Sequence, residues 1–126
     1  MTDLLHQAKH DILIIDRYAG ENLLCLLTVK LAVVRARLLT GKVRPALLTL
    51  AREFNRQYKG LEIRSSDAFH DRFIIIDDTH FYHFGASIEH LGNKAFMFSK
   101  IEEPSIITAL RECCEKEWGK AKELVT

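Results

Sequence analysis

One short apolar run between two acidic residues restricts the possible folds of this chain more than any other feature. Residues 11–16 read Asp-Ile-Leu-Ile-Ile-Asp. A strand with one face in water alternates apolar and polar side chains, whereas a continuous apolar run is typical of a strand that is covered on both faces. The run therefore predicts a central strand of an α/β sheet with helices on both sides.

The rest of the chain supplies the helices and strands that such a sheet needs. Leucines at helical spacing predict a helix over residues 21–30, and apolar residues at every third or fourth position predict another over 43–58, where Pro45 suits the first turn. Further strands are predicted at residues 33–39, 61–64, 72–77, 80–84 and 95–100, and a last helix at 105–124. Helical crossovers come early and hairpins late, so we expect one α/β domain over residues 1–126, with a mixed central β-sheet flanked by helices.

The charge balance and the apolar pattern exclude several classes of protein. Lys and Arg number 18 against 17 Asp and Glu, so no overall field draws the chain to nucleic acid or to a membrane, and any phosphate binding must be local. Apolar runs such as 12–15 and 73–76 are far shorter than the roughly 18 residues that span a bilayer. Residues 1–10 carry charged residues and histidines, unlike a secretory signal. We expect a cytoplasmic protein without membrane contact, and three cysteines without metal-type spacing are expected to be free thiols.

Polar, titratable residues gather between the apolar strands of the second half of the chain. His70 and Arg72 are two residues apart at the start of a strand, so both side chains are expected on one face, where they can converge on one anion. Asp77 has the opposite parity and is expected to cap the strand end or to hold a turn. Gly85 permits a close backbone approach, and the Ser87 hydroxyl can orient a histidine or contact a phosphate oxygen. The pattern predicts a phosphate site.

Three further histidines, at positions 80, 83 and 90, raise the question of a metal site. His80 and His83 are expected on opposite faces of one strand, and no carboxylate or cysteine joins them at ligand spacing. We therefore expect no metal. His83 lies two residues before Gly85. It either lines the phosphate pocket or is an ordinary strand residue, and the sequence does not decide between these two roles.

The spacing of these residues resembles the signature of the phospholipase D superfamily, which reads His-x-Lys, four residues, Asp, about six residues, and then Gly-Ser-x-Asn. His70, Arg72 and Asp77 keep every spacing of the first half, with Arg in place of Lys. In the second half, seven residues separate Asp77 from Gly85. The run that follows reads Gly-Ala-Ser-Ile-Glu, with an additional Ala between the Gly and the Ser. When Ser87 is aligned with the motif serine, Glu89 stands where Asn is expected. The similarity covers most of the chain.

The resemblance implies a phospholipase D-like half-domain and a particular chemistry. In that family the motif histidine attacks a phosphodiester and forms a phosphohistidine, a second histidine from another motif copy protonates the leaving oxygen, and neither metal nor cofactor is required. By this analogy the catalytic residues are His70, Arg72, Asp77 and Ser87, and the substrate-binding residues are Arg72, Ser87, Glu89 and His83. Because the chain holds one motif copy, the resemblance implies a homodimer that completes the site, as in the single-motif endonucleases of the family.

Three functions stay open at this point. The first is a metal-independent phosphodiesterase that acts on nucleic acid, DNA or RNA, rather than on lipid, because the chain lacks a membrane-docking amphipathic segment. Arginines that could add a local track for the nucleic-acid backbone are Arg35, Arg37, Arg44, Arg56 and Arg64. The second is a catalytically inactive phosphate-binding, nucleic-acid-binding or assembly module, with a protein partner in a prokaryotic defence or restriction system. The third is a hydrolase of lipid or of another small phosphodiester.

Overall fold

A seven-stranded β-sheet runs through the described part of the chain. The computed structural model describes residues 2–84 and 98–126. The strands are β1 (Asp11–Ile15), β2 (Arg35–Thr40), β3 (Leu61–Ser65), β4 (Arg72–Ile76), β5 (His80–Phe84), β6 (Phe98–Ile101) and β7 (Lys122–Val125). The helices are α1 (Thr2–His6), α2 (Glu21–Leu27), α3 (Pro45–Gln57) and α4 (Pro104–Lys120). The strand order across the sheet is β6-β5-β4-β1-β2-β3-β7.

The middle of the sheet is parallel and its flanks are antiparallel. Strands β1, β2 and β3 run parallel and are joined by α2 and α3, while β4 pairs antiparallel with the other side of β1. Strands β5 and β6 continue the antiparallel pairing beyond β4, and β7 pairs antiparallel with β3 at the opposite margin. The predicted fold class, an α/β fold with a mixed sheet flanked by helices, is confirmed.

The side chains of β1 alternate between two apolar layers. Ile12 and Ile14 pack with residues of α2 and α3, in what we call the α2/α3 layer, whereas Leu13 and Ile15 pack with residues of α4, in the α4 layer. None of these four side chains is more than 2% exposed. Burial of each one stabilises the fold by roughly 1.5–3 kcal/mol. The prediction of a central strand covered on both faces is confirmed.

The last segment of the chain differs from the sequence-based expectation. The helix predicted over residues 105–124 ends at Lys120, and residues 122–125 form β7 instead. Val125 pairs with Ile63 and is buried, so this segment gains hydrogen bonds along the margin of β3. Helical periodicity within the segment cannot reveal that gain, because it depends on a strand some sixty residues away in the chain.

Two smaller differences concern the first helix and the sixth strand. Helix α1, which no sequence pattern indicated, places Leu5 in the core with 0% exposure. Of the strand predicted over residues 95–100, residues 95–97 lie outside the described residues, and Phe98–Ile101 form β6.

Candidate functional site

Polar residues from four strands meet at one edge of the sheet. The parallel strands β1, β2 and β3 end at this edge, and β4 begins there because it runs antiparallel to β1. We define the carboxyl edge as residues 16–17, 40–42, 66–67 and 70–72. In open α/β sheets, ligands bind beyond the carboxyl ends of the parallel strands. The edge is therefore the position at which this fold is expected to hold a ligand.

The imidazole of His70 is exposed at the carboxyl edge. His70 lies in a bend immediately before β4, and its Nδ1 is 3.2 Å from Nη1 of Arg17, which follows β1. A charged guanidinium and an exposed imidazole are thus in direct contact. Both groups can bind an anion, the first as a fixed cation and the second as a hydrogen-bond donor.

The guanidinium of Arg72 rests on a buried carboxylate at the same edge. Its Nε lies 3.7 Å from Oδ1 of Asp16, whose side chain is fully buried. Within the described residues, the Arg72 Nε is itself buried and has no hydrogen-bond partner. Arg72 precedes Ile74 by two positions in β4, so its side chain faces the α2/α3 layer. The buried carboxylate of Asp16 holds the Nε side of the Arg72 guanidinium. A quarter of the Arg72 side chain is exposed to solvent.

Arg17 is a candidate site residue that the sequence analysis missed. Its backbone carbonyl accepts hydrogen bonds from the N–H groups of Gly41 and Lys42, at 3.2 and 2.9 Å, and from the Thr40 hydroxyl at 3.2 Å. Its side chain passes under Gly41, where a Cβ atom would lie 2.8 Å from the Arg17 Cγ, and its Nη2 is 3.6 Å from Oδ1 of Asp67. Its position directly after a buried parallel strand was a usable signal.

Asp77 lies at the opposite end of β4 from His70 and Arg72. Its carboxylate accepts hydrogen bonds from the backbone N–H groups of Lys9, His10 and Asp11, at 2.7–3.2 Å. Burial favours a higher pKa for Asp77, but these N–H groups stabilise the charged form and bring the pKa below its ordinary value. Asp77 thus anchors the chain that enters β1, and the structure does not bring it together with His70.

His83 also lies apart from Arg72, although both are near the carboxyl edge. In the β4–β5 hairpin His83 pairs with Phe73, and the two ring centroids are 5.4 Å apart in the α4 layer. Arg72 pairs with Phe84, which lies in the α2/α3 layer. His83 Nε2 is 3.6 Å from Oδ1 of Asp71. The two predicted substrate contacts, Arg72 and His83, therefore face opposite sides of the sheet.

Two other predicted site residues, Ser87 and Glu89, lie outside the described residues. The same holds for Gly85 and His90. Within residues 2–84 and 98–126, no group of three or more His, Cys, Asp or Glu side chains could hold a metal ion. No helix in that part of the chain is long and apolar enough to cross a membrane.

The predicted arginine track is wrong for Arg37. This side chain is 4% exposed, forms ion pairs with Asp11 and Glu115 at 3.0 Å, and stacks on Trp118. Burial alone would lower the pKa of Arg37, but its hydrogen bonds to Glu115 and Asp11 outweigh burial and raise the pKa. The remaining four track residues each pair with carboxylates: Arg35 with Asp11, Arg44 with Glu21, Arg56 with Glu53, and Arg64 with Glu62 and Glu123. The carboxyl edge has its own two arginines, Arg17 and Arg72, whose carboxylate contacts to Asp67 and Asp16 are longer, at 3.6 and 3.7 Å.

Comparison with known proteins identifies the fold. No protein-family model and no curated protein matches the chain. The structure is similar to that of TrmBL2, an archaeal chromatin protein described as showing a novel mode of DNA binding, with a TM-score of 0.65 and 20% identity. That similarity covers 97% of this chain and 48% of TrmBL2, so the chain spans about half the length of that protein.

A second solved structure is similar over nearly its whole length. NucT from Helicobacter pylori has a TM-score of 0.66 and 8% identity to this chain, and the similarity covers 97% of this chain and 87% of NucT. This chain therefore has the fold of NucT, which also matches part of TrmBL2. At these identities the two comparisons establish the fold alone.

Proposed function

We propose that this chain is a metal-independent phosphodiesterase that cleaves nucleic acid as a homodimer, with His70 as its nucleophile. One observation carries the proposal. The exposed imidazole of His70 contacts the guanidinium of Arg17, and the guanidinium of Arg72 pairs with the buried carboxylate of Asp16 at the same edge. Guanidinium groups bind phosphate oxygens through paired, charge-assisted hydrogen bonds. The resemblance of the His70 motif to that of the phospholipase D superfamily, together with the fold shared with NucT, supports a phosphodiester as the ligand.

The proposed reaction has two steps. In the first, the lone pair of His70 Nε2 attacks phosphorus, the P–N bond forms, the P–O bond to the leaving oxygen breaks, and the partner subunit's His70 donates a proton to that oxygen. In the second, water attacks phosphorus, gives its proton back to the partner's imidazole, and breaks the P–N bond. Arg72 and Arg17 stabilise the negative charge on the non-bridging oxygens as phosphorus becomes five-coordinate. Loss of one such donor lowers kcat by about 10²–10³-fold in comparable sites.

The homodimer follows from the single motif copy. The two histidines have different tasks, since the nucleophile is neutral and the acid is protonated. Ser87 and Glu89 stay predicted substrate contacts, since they follow β5 in sequence and Phe84 of β5 pairs with Arg72. Asp77 acts in this proposal by holding the far end of β4.

A second candidate function is a nucleic-acid-binding module without turnover. The likeness to TrmBL2, which is described as binding DNA, favours it. It keeps the same carboxyl edge as a phosphate contact and does not need a second histidine. A protein partner in a prokaryotic defence or restriction system would suit either candidate.

The experiment that tests the proposal compares two histidine variants. The purified chain is incubated with single- and double-stranded DNA and RNA in excess chelator, and cleavage is followed on denaturing gels. His70→Ala is expected to abolish cleavage, with at least about a 10³-fold loss. His80→Ala is the matched control, because His80 is also exposed but begins β5 at the opposite end of the hairpin.

Each result of this comparison has one meaning. Cleavage that survives chelator and is lost in His70→Ala alone, with a dimer in light scattering, supports the proposal. Binding without cleavage establishes the module instead. Cleavage by a monomer, or equal cleavage by both variants, overturns the shared histidine site.

A further inference from the structure

The contact between Arg17 and His70 determines which ring nitrogen carries the proton. We propose that Arg17 is a positioning residue that holds His70 in a resting tautomer, and that a bound phosphate group releases the histidine by drawing Arg17 away. This inference rests on the proposed function of the same site. It adds a residue and a regulatory step that the sequence motif does not contain.

The first argument is the direction of the hydrogen bond. A guanidinium has five N–H donors and no acceptor, so Nδ1 of His70, at 3.2 Å from Arg17 Nη1, must present its lone pair. A neutral imidazole with a lone pair on Nδ1 carries its proton on Nε2. Arg17 therefore favours the Nε2–H tautomer of His70.

The second argument is that neither catalytic state of His70 tolerates this contact. Attack on phosphorus needs the lone pair on Nε2, which places the proton on Nδ1. The acid that protonates the leaving oxygen carries protons on both ring nitrogens. In either state an N–H of His70 would point at an N–H of Arg17, so the observed contact belongs to a resting state.

The third argument is that Arg17 is held close to the position where an anion would arrive. Its backbone is fixed by the bonds to its carbonyl from Thr40, Gly41 and Lys42, so only the outer part of its side chain can move. In the resting position its Nε is buried without a hydrogen-bond partner in the described chain, like the Nε of Arg72. An unsatisfied buried donor is costly, and the side chain gains when an acceptor becomes available.

The release step follows from the relative strength of the two bonds. The guanidinium is charged in both bonds, but phosphate also carries negative charge and can accept two parallel N–H groups, whereas the neutral imidazole offers a single lone pair. Phosphate therefore competes successfully with the imidazole for Arg17. His70 then gives its Nε2 proton to water and takes up a proton on Nδ1 from water, with no net change in charge. Nε2 now has the lone pair that the attack on phosphorus requires.

The test measures the tautomer directly and needs no cleavage. Long-range ¹H–¹⁵N spectra of the labelled full chain report which ring nitrogen of His70 is protonated, at about pH 8, where an ordinary histidine is neutral. The free wild-type chain is expected to show the Nε2–H tautomer. Inorganic phosphate is expected to shift His70 toward Nδ1–H saturably, whereas sodium chloride at equal ionic strength does not.

Two arginine variants make the assignment specific. Arg17→Met keeps most of the side-chain volume but has no donor, and its free His70 is expected to contain about fivefold less Nε2–H relative to Nδ1–H than the wild type. Phosphate should then leave the tautomer ratio unchanged. Arg44→Met, which removes an arginine at the start of α3 that pairs with Glu21, should leave the His70 spectrum as in the wild type.

The outcomes separate this inference from the proposed function. A predominantly Nδ1–H histidine in the free wild type, or an equal tautomer ratio in Arg17→Met, overturns the resting state. Phosphate that perturbs amides of the carboxyl edge without moving the tautomer overturns the release step, while the phosphate site stands. Phosphate that perturbs nothing at the edge, under conditions where the wild type does not cleave nucleic acid, overturns the proposed function as well.

Discussion

The carboxylate of Asp77 offers a direct test of how the β4–β5 hairpin is anchored. Its Oδ1 accepts from the N–H groups of Lys9, His10 and Asp11 at 3.2, 2.7 and 3.0 Å, and its Oδ2 accepts from Lys9 at 3.0 Å. In Asp77→Asn the side chain keeps one acceptor oxygen but loses the negative charge of the carboxylate. Its NH₂ group then faces a backbone N–H group, and two donors cannot form a hydrogen bond. With about 0.5–1 kcal/mol for each of the three weakened donors, the free energy of unfolding should fall by roughly 1.5–3 kcal/mol.

Urea unfolding followed by circular dichroism measures this loss and its pH dependence. The pKa of Asp77 in the folded chain lies below the ordinary 3.8, because the N–H bonds outweigh the opposing effect of burial. The carboxylate therefore contributes its full stabilisation above that ordinary value and loses it as pH falls through the lower, folded pKa. The difference between wild type and Asp77→Asn should be constant near neutral pH and should narrow below about pH 4.

The neighbouring residue supplies the control. Asp78 has φ 56° against 54° for Asp77, so both side chains leave the same left-handed backbone, which Asn adopts as readily as Asp. The carboxylate of Asp78 makes an exposed ion pair with Arg111, at 3.2 Å. Asp78→Asn should therefore cost less than about 1 kcal/mol. Equal losses in the two variants, or a difference that does not narrow in acid, would refute the anchoring role.

Two further predictions concern the carboxyl edge and the thiols. In Gly41→Ala the new Cβ would lie 2.8 Å from Arg17 Cγ, so Arg17 must shift, and calorimetry should show about tenfold weaker binding of inorganic phosphate. Gly119→Ala, where a Cβ meets nothing within 4 Å, should bind as the wild type does, and unchanged affinity in both variants would contradict the role of Arg17. Of the three cysteines only Cys114 is buried, and burial raises the pKa of Cys114 to about 12. Mass spectrometry after alkylation should show two modified thiols in the folded chain and three after unfolding; rapid modification of all three would be the opposite result.

The strands could be predicted where burial leaves a local mark in the sequence. Residues 11–16 and 72–77 are apolar runs between charges, and both form strands whose apolar side chains are buried. Residues 122–125 carry no such mark, because Lys, Glu and Leu suit a helix as well as a strand margin. The choice between helix and strand is made by the edge of β3, which offers backbone hydrogen bonds to a neighbouring strand. The sequence of the last segment contains no information about that edge.

The candidate site was predicted where its residues are close in sequence. His70 and Arg72 were found from their spacing, and both lie at the carboxyl edge. Arg17 was missed because its role depends on the loops at 40–42 and 66–67, which come beside it only after the parallel strands are arranged. The role of each arginine is set by which carboxylates the fold brings near it, and that is a long-range property.

His83 illustrates the same limit within a single hairpin. Parity along β4 places Arg72 on one face, and parity along β5 alternates likewise, but the register between the two strands decides whether Arg72 and His83 share a face. Because Arg72 pairs with Phe84, they do not. A shift of one residue in the register would have put both side chains on the same face.

The length of β4 separates the groups that face a ligand from the group that secures the hairpin. The hydrogen bonds between Asp77 and the start of β1 do not involve the side chains of His70 or Arg72. In the same way, the contact of the exposed His70 imidazole with Arg17 does not involve Asp77. Substitutions of the exposed His70 can therefore change ligand preference while the anchor at the far end of the strand is kept, whereas a change at Arg72 also removes the partner of the buried Asp16 carboxylate.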